Sequence, residues 1–169
     1  NDEEVAAKIR ILRDHGQPMK YHHDVVGWNA RMDGIQGAVL SVKLKHLDEW
    51  NDGRRRAAAE YDRQLADCDD VTAPFVLDGN KPVYHLYEVQ ILNRDKVLEA
   101  LQKSGIGCGI HYPVPINLLK GYSYKDCGPG RFPIGEQCAA EYLSLPIFPE
   151  ILTNQIGVVC KLLCRNFKT

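Results

Sequence analysis

Apolar residues recur at helical spacing near the start of the chain. Val5, Ile9 and Leu12 lie three or four residues apart, which predicts one apolar helix face. Asn1 is a candidate N-cap for this helix, because its side chain can accept a hydrogen bond from a free backbone N–H. Gly16 is a candidate stop, with a proline two residues beyond it. The sequence therefore predicts a first helix that ends close to Gly16.

A second apolar stripe begins at Met32 and continues at helical spacing. Asp33 is well placed near the start of this helix. The helical pattern extends past Gly53 to about Leu65, so one long helix and two helices with a bend at Gly53 both fit. The segment between the two stripes has no period, and long irregular loops in compact domains are often functional.

The second half of the chain alternates between strand and helix patterns. Residues 83–92 are rich in β-forming side chains and roughly alternating, so they predict a strand. Two further strands are predicted over residues 106–112 and 143–146, with helices near 93–105, 134–142 and 153–164. This order indicates a small α+β sandwich.

Composition narrows the class of protein. The 169 residues are 44% hydrophobic and 25% charged, with a net charge of −1, which excludes a disordered chain. No apolar run approaches the ~20 residues of a membrane helix, and the charge balance gives no general attraction to nucleic acid. The first residues lack a signal-peptide pattern, so we expect a cytoplasmic protein whose six cysteines are reduced. Without a CxxC pair, no metal site is predicted.

Two stretches carry polar groups that a fold alone would not need. In Gly27–Met32 a loop meets a helix, and Arg31 could present its forked donors to a phosphate or carboxylate. The alternative is that Asn29 caps the helix and Arg31 is a surface charge. The other stretch is His111-Tyr112, at the end of a predicted strand, where the alternative is a half-buried histidine.

A pair of adjacent histidines, His22 and His23, follows Tyr21 in the irregular segment. Adjacent histidines rarely share one metal ion, so surface placement is the preferred interpretation.

The chain resembles the C-terminal part of the DegT/DnrJ/EryC1/StrS family of sugar-nucleotide aminotransferases, which use pyridoxal 5'-phosphate (PLP). The resemblance rests on ordered segments that include GWNARMDGIQGAVL, GIHYP and LSLPIFPE. It implies the small C-terminal domain of the aspartate-aminotransferase type I fold, with a short antiparallel sheet covered by helices. Residues 1–30 would be the tail of the large PLP-binding domain with an active-site loop, and residues 31–169 the small domain. The PLP lysine would lie upstream, so none of this chain's residues would be catalytic.

The resemblance also assigns roles to residues of both stretches. Asn29 and Arg31 would contact the PLP phosphate or bound substrate of the partner subunit in a homodimer with shared active sites. His111 and Tyr112 would hydrogen-bond the nucleotide-linked sugar. Tyr21 and His22 resemble a loop that lines the active-site entrance.

The activity implied for the whole enzyme is transamination. An amino group, usually from glutamate, would pass through PLP to a nucleotide-linked keto sugar, in amino-sugar or surface-polysaccharide biosynthesis. The segment GIHYPVP is typical of members that act at the 3-position of the hexose. Two alternatives stay open: a PLP-dependent sugar dehydratase of the same family, and a non-catalytic dimerisation or regulatory module. The isolated chain is expected to be inactive.

Overall fold

A computed structural model describes residues 1–166, and these contain six helices and three strands. The helices are α1 (Glu3–Arg13), α2 (Gly34–Leu44), α3 (Leu47–Leu65), α4 (Arg94–Lys103), α5 (Pro133–Glu141) and α6 (Thr153–Asn166). The strands are β1 (Val71–Thr72), β2 (Tyr87–Ile91) and β3 (Tyr142–Leu145), and two 3-10 turns cover Ile116–Leu118 and Lys120–Lys125. The chain divides into two compact units, Asn1–Leu47 and Asp48–Thr169, which are described separately.

The first unit consists of α1, an irregular segment and α2. Asp2 caps α1 by accepting a hydrogen bond of 3.0 Å from the backbone N–H of Val5. The prediction that Asn1 is the cap was therefore wrong by one residue, and both side chains can accept such a bond. Asp33 caps α2, as its predicted place near the helix start suggested, through a 2.8 Å bond from the backbone N–H of Gln36.

Apolar side chains of the first unit are largely exposed. Neither α1 nor α2 has a buried residue, although α2 is rich in valine and leucine. Ile35 is 78% exposed and Val42 is 61% exposed. In residues 1–47 the one buried residue is Gly16. This unit therefore has no apolar core of its own.

The second unit is built on an antiparallel sheet with the order β1-β2-β3. Tyr87 pairs with Leu145 and Val89 pairs with Leu143, so the register places these apolar side chains on one face. Tyr87, Val89 and Ile91 are buried, while the residues between them are half-buried. This period of two is what the sequence predicted for the strand.

The core of the second unit joins that sheet face to helices α3, α4 and α6. Its largest fully buried side chains are Tyr61, Tyr87, Leu101, Leu143, Ile156, Leu163, Val89 and Val97. The rings of Tyr61 and Tyr87 stack with centroids 4.8 Å apart, and the Tyr61 hydroxyl donates to the carbonyl of Pro146 at 2.8 Å. The predicted class, helices covering a short antiparallel sheet, is confirmed.

Two predicted elements differ from the structure. The strand predicted over residues 106–112 is absent, and only Gly109 forms an isolated bridge, to Ser144. Pro113 and the flexible glycines of that segment limit the pairing to one residue. The helix pattern from Met32 to Leu65 is interrupted after Leu44 and not at Gly53, which lies buried within α3.

Cys68 and Cys164 form a disulfide that links the segment after α3 to α6, with their Cα atoms 5.5 Å apart. The expectation that every cysteine is reduced was wrong for this pair. The two residues are 96 positions apart, so their spacing gave no indication of contact. Cys160 is a buried free thiol, in line with the expectation that it is reduced.

No helix among residues 1–166 is long and apolar enough to cross a membrane.

Candidate functional site

Two glycines hold the irregular segment of the first unit together. A Cβ atom on Gly27 would lie 2.1 Å from the backbone N of Gly16, so the two backbone runs touch at this point. Gly16 also adopts φ +72°, a conformation that favours glycine. The contact brings the end of the loop back against its beginning.

Backbone hydrogen bonds then anchor the residues around Asn29 to the end of α1. The N–H of Trp28 donates to the carbonyl of Leu12 at 2.8 Å. The N–H of Ala30 donates to the carbonyl of Arg13, also at 2.8 Å. Because both neighbours of Asn29 are fixed in this way, its backbone position follows from the helix end.

Asn29 and Arg31 form a hydrogen-bonded pair on this anchored segment. The Arg31 Nε donates to the Asn29 Oδ1 at 3.1 Å, and the Arg31 side chain is 56% exposed. Arg31 Nη1 lies 3.7 Å from the Asp14 Oδ1, while Gln17 donates to the other Asp14 oxygen at 2.9 Å. The Asp14 Oδ1 is buried and has no hydrogen-bond partner among the described residues. Its negative charge therefore attracts the Arg31 guanidinium.

The donor set of this pair suits an anion. The Asn29 oxygen accepts a hydrogen bond from Arg31. Its amide N–H groups make no hydrogen bond among the described residues, so they remain available as donors. The guanidinium keeps N–H groups that face solvent, and its fork matches the oxygens of a phosphate or carboxylate. The residues present thus fit the phosphate group of PLP, or another anionic ligand.

Tyr21 and His22 lie in the same irregular segment without joining this pair. Tyr21 is 79% exposed, and its backbone N–H donates to the Gln17 Oε1 at 3.1 Å. The His22 N–H donates to the carbonyl of Met19. Among residues 1–166, no hydrogen bond connects the side chains of Tyr21 or His22 with Asn29 or Arg31. Their predicted place at a site entrance stays a prediction.

The second candidate region begins where Gly109 extends the sheet. Gly109 and Ser144 exchange both backbone hydrogen bonds, at 3.2 and 2.9 Å, so the chain runs beside β3 for one residue. A Cβ atom on Gly109 would lie 2.9 Å from the His111 Cε1. The His111 ring therefore folds back over Gly109, into space that a side chain there would take.

A chain of polar contacts holds the His111 ring. The His111 Nδ1 lies 2.8 Å from the Ser144 Oγ, and the Ser144 hydroxyl donates to the Glu88 Oε1 at 3.3 Å. Ser144 is only 5% exposed, whereas His111 is exposed. The alternative of a half-buried histidine was therefore wrong, since His111 as a residue is exposed while its Nδ1 contacts Ser144.

Tyr112 lies beside His111, with the two rings edge to face and their centroids 5.5 Å apart. The peptide bond between them is cis. Tyr112 is 74% exposed. The structure thus brings these two predicted residues together at the surface.

The loop that follows is organised by one carboxylate. The backbone N–H of Gly130 donates to both Glu136 oxygens, at 3.0 and 2.9 Å, and Phe132 and Asn117 donate as well. The Gly130 N–H in particular holds the pKa of Glu136 below its ordinary value. Glu136 therefore fixes the chain beyond Tyr112 as far as the start of α5.

Sequence reasoning left open that Asn29 caps the helix, and that alternative was wrong because Asp33 caps α2. It did not find Asp14, Glu88 or Ser144. The signal for the last two was a polar residue between two apolar neighbours, Glu88 in YEVQI and Ser144 in YLSL. A period of two puts such residues on the face opposite the core.

The comparisons with known proteins all point to one aminotransferase family. The model of the DegT/DnrJ/EryC1/StrS aminotransferase family matches residues 1–164. A "pleiotropic regulatory protein" of Geobacillus stearothermophilus is 41% identical over 170 residues, covering 99% of this chain and 46% of that protein. A UDP-N-acetyl-3-dehydro-alpha-D-glucosamine 3-aminotransferase of Acidithiobacillus ferrooxidans is 38% identical, covering 98% and 44%.

Among solved structures, S. venezuelae DesV in complex with a ketimine intermediate superposes with a TM-score of 0.92 and 36% identity. The match covers 99% of this chain and 46% of DesV. The chain thus spans less than half the length of these relatives.

Proposed function

Because the chain belongs to the DegT/DnrJ/EryC1/StrS aminotransferase family, we propose that it is the C-terminal part of a PLP-dependent sugar aminotransferase. The whole enzyme would transfer an amino group, with glutamate as donor, to a nucleotide-linked keto sugar. The names of relatives such as the Acidithiobacillus enzyme support this substrate class. The observation that carries the proposal is the exposed Asn29–Arg31 pair, which is held in place and keeps donors for an anion.

Asn29 and Arg31 would hold the cofactor phosphate or the substrate's anionic groups. PLP, when bound, supplies an electron sink for the bonds around the transferred nitrogen. Arg31 contributes a permanent positive charge with several donors, and Asn29 adds neutral donors. The base that moves the proton would be a lysine outside this chain. These residues would therefore bind and orient the ligand, and they would transfer no proton.

His111 and Tyr112 would contact the sugar nucleotide. Both are exposed and adjacent, and the contacts of His111 fix its ring in one direction. The sequence around them is typical of members that aminate the 3-position. The Acidithiobacillus relative is named as a 3-aminotransferase, which supports a 3-keto sugar as the acceptor.

The exposed apolar residues of the first unit would be covered by other parts of the enzyme or by the partner subunit. Residues 1–47 bury only Gly16, and α2 leaves apolar residues such as Ile35 exposed. Apolar surface of this extent in one small unit suits an interface. Residues 1–30 would be the tail of the PLP-binding domain and residues 31–169 the small domain. Asn29 and Arg31 would reach the site of the partner subunit in a cytoplasmic homodimer.

The test is the substitution Arg31→Gln in the full-length protein that carries this chain. Removing the guanidinium should weaken PLP binding at least about tenfold, which corresponds to about 1.4 kcal/mol for a charge-assisted contact. Cofactor absorbance during a PLP titration measures the dissociation constant. Amine transfer from glutamate to a UDP-linked 3-keto sugar, followed by mass spectrometry, measures the activity.

Arg10→Gln is the matched control, because Arg10 is also an exposed arginine but lies in α1 away from the pair. It should leave the dissociation constant unchanged. Equal weakening by both substitutions would remove the site role of Arg31. Loss of a sugar hydroxyl without amine transfer would identify the dehydratase in place of the aminotransferase.

A further inference from the structure

The contacts of His111 carry information about its protons. Ser144 has one hydroxyl proton, and the carboxylate of Glu88 lies 3.3 Å from its oxygen as an acceptor for that proton. An ionised carboxylate can only accept hydrogen bonds. The Ser144 oxygen is therefore left with its lone pairs for its other neighbour.

That neighbour is the His111 Nδ1, 2.8 Å from the Ser144 Oγ. With the Ser144 proton on Glu88, the Ser144 oxygen accepts at this contact, and Nδ1 is then the nitrogen that carries a proton. A neutral imidazole has only one N–H, so Nε2 then has a lone pair and no proton. Among the described residues, Nε2 has no hydrogen-bond partner.

We propose that Glu88 and Ser144 are positioning residues that fix neutral His111 as its Nδ1–H form, so that Nε2 accepts a hydrogen bond from a substrate hydroxyl. This inference rests on the proposed function, because it specifies the chemistry at the same site. An unprotonated Nε2 can accept from a sugar or ribose hydroxyl. It cannot donate to an unprotonated phosphate oxygen.

Two further features of the site support an arrangement built for His111. Ser144 is 5% exposed, so water does not compete for its hydroxyl. Gly109 leaves open the space that the His111 ring occupies, since a Cβ atom there would lie 2.9 Å from the ring. The ring is thus both bonded and sterically confined, while the residue as a whole stays exposed.

The first experiment measures the tautomer in the full-length protein labelled with ¹⁵N-histidine. The His111 signals are assigned by their loss in His111→Gln, at a pH where titration shows the ring to be neutral. We expect the Nδ1 shift of a protonated nitrogen and the Nε2 shift of an unprotonated one. The opposite pattern, or a mixture of both forms, would overturn the proposal.

The contacts from Glu88 through Ser144 to His111 form a hydrogen-bond relay. Glu88→Gln tests this relay with almost no change in side-chain shape. The new amide can donate to the Ser144 oxygen, which frees the Ser144 hydroxyl to donate to Nδ1. The Nε2–H form should then become populated. Ser144→Ala removes the hydroxyl between Glu88 and His111, so a mixture of the Nδ1–H and Nε2–H forms should appear. Ser144→Thr keeps a hydroxyl, so the Nδ1–H form should again predominate.

Ser104→Ala is the control, because Ser104 also uses its hydroxyl in a hydrogen bond, to the Ala100 carbonyl, but lies at the end of α4. It should leave the His111 spectrum unchanged. If Ser144→Ala fails to fold, Glu88→Ala decides the outcome, because it leaves the Ser144 hydroxyl no carboxylate or amide acceptor at that position. An unaltered tautomer in Glu88→Ala would overturn the relay.

A second experiment identifies the group that Nε2 accepts from, with pyrophosphate, UDP and UDP-glucose as probes. A shift of Nε2 with UDP-glucose alone assigns a sugar hydroxyl, and a shift with UDP as well assigns a ribose hydroxyl. A response to pyrophosphate, or to none of the three, would overturn the hydroxyl assignment.

The tautomer measurement needs no turnover, so it stands if amine transfer fails. If the enzyme transfers the amine but His111 is a mixture of tautomers, only this inference is overturned and the proposed function stands. In an active enzyme whose tautomer is fixed as proposed, Glu88→Gln should raise the KM for the sugar nucleotide about tenfold with kcat less affected.

Discussion

Two glycines decide where the backbone of residues 14–31 can run. A Cβ atom on Gly27 would meet the backbone N of Gly16 at 2.1 Å and the carbonyl of Leu12 at 2.7 Å. Both neighbours are backbone atoms, which cannot move aside as a side-chain tip can. The position of the Asn29–Arg31 pair therefore depends on residue 27 having no Cβ atom.

Gly27→Ala should open this loop. We expect faster amide exchange at Trp28 and Ala30, because their hydrogen bonds to α1 depend on the close approach. The cost should be about 1–3 kcal/mol, as for other overpacked sites. Hydrogen exchange followed by mass spectrometry measures it.

The matched control is Gly34→Ala at the start of α2, where nothing lies within 4 Å of an added Cβ. Alanine is the better helix former, so exchange in the loop should not rise. If amide exchange at Trp28 and Ala30 is as slow in Gly27→Ala as in the control, the contact between Gly16 and Gly27 does not position the Asn29–Arg31 pair.

Single residues were predictable to different degrees. Asn29 and Arg31 could be proposed from their place between a loop and a helix and from the family resemblance. Asp14 could not, because its contact with Arg31 arises only when the segment folds back at Gly16. A sequence lists residue types, whereas this contact depends on the path of the backbone between them.

Among the helices, α3 makes one unusually close contact with the rest of its unit. Gly53 lies in the interior of α3, where a Cβ atom would meet the Pro149 carbonyl oxygen at 2.7 Å and the Pro149 Cα at 2.9 Å. The glycine was a possible bend in the sequence. In the structure it lets a loop backbone lie directly against a continuous helix.

Gly53→Ala should therefore destabilise the second unit by about 1–3 kcal/mol, despite alanine's higher helix propensity. The comparison is Gly157→Ala in α6, where the nearest atom to an added Cβ is the flexible Gln64 Oε1 at 3.5 Å. That substitution should stabilise by about 0.5–1 kcal/mol. Urea unfolding of both variants gives the two free energies, and changes of the same sign would contradict the packing argument.

Elements with a strong period were predicted well, and those without one were not. The strand predicted over residues 83–92 contains β2, and the helix predicted from about 153 is α6. Strand β1, with two residues, is too short to show a period. The segment around Gly109 has strand-like residues, but its glycines and the nearby Pro113 leave only one bridge.

For the second unit as a whole, the core contains groups that ionise at alkaline pH. Burial is the first cause that raises the pKa of Tyr61, and likewise of Tyr87, whose hydroxyl also bonds Asp62. Burial raises the pKa of Cys160 from 9.0 to about 11, and the same shift is found for Cys108.

A pKa that is higher in the folded than in the unfolded chain stabilises the folded form below the unfolded value. That stability is lost as the pH rises. The free energy of unfolding should hence fall from about pH 9 as the thiols ionise in the unfolded chain, and more steeply above pH 10 as the tyrosines follow. Each group contributes up to about 1.4 kcal/mol per pH unit.

Urea unfolding between pH 8 and 11 measures this slope. Cys160→Ala should reduce it between pH 9 and 11. Val159→Ala removes a neighbouring buried side chain that does not titrate, so it should lower stability at every pH without changing the slope. An unchanged slope in Cys160→Ala would show that the thiol does not contribute.

The relay through Ser144 also ties the candidate site to the order in which the chain is made. Glu88 and Ser144 are separated by 56 positions, and His111 lies between them in the sequence. The ribosome synthesises His111 before β3, so the ring has no partner for Nδ1 until Ser144 has been made. Pairing of β2 with β3 must then close that long loop, which is a slow step. On the proposed arrangement, the imidazole acquires its binding form only when β3 pairs with β2, so its nitrogen signal would report that pairing.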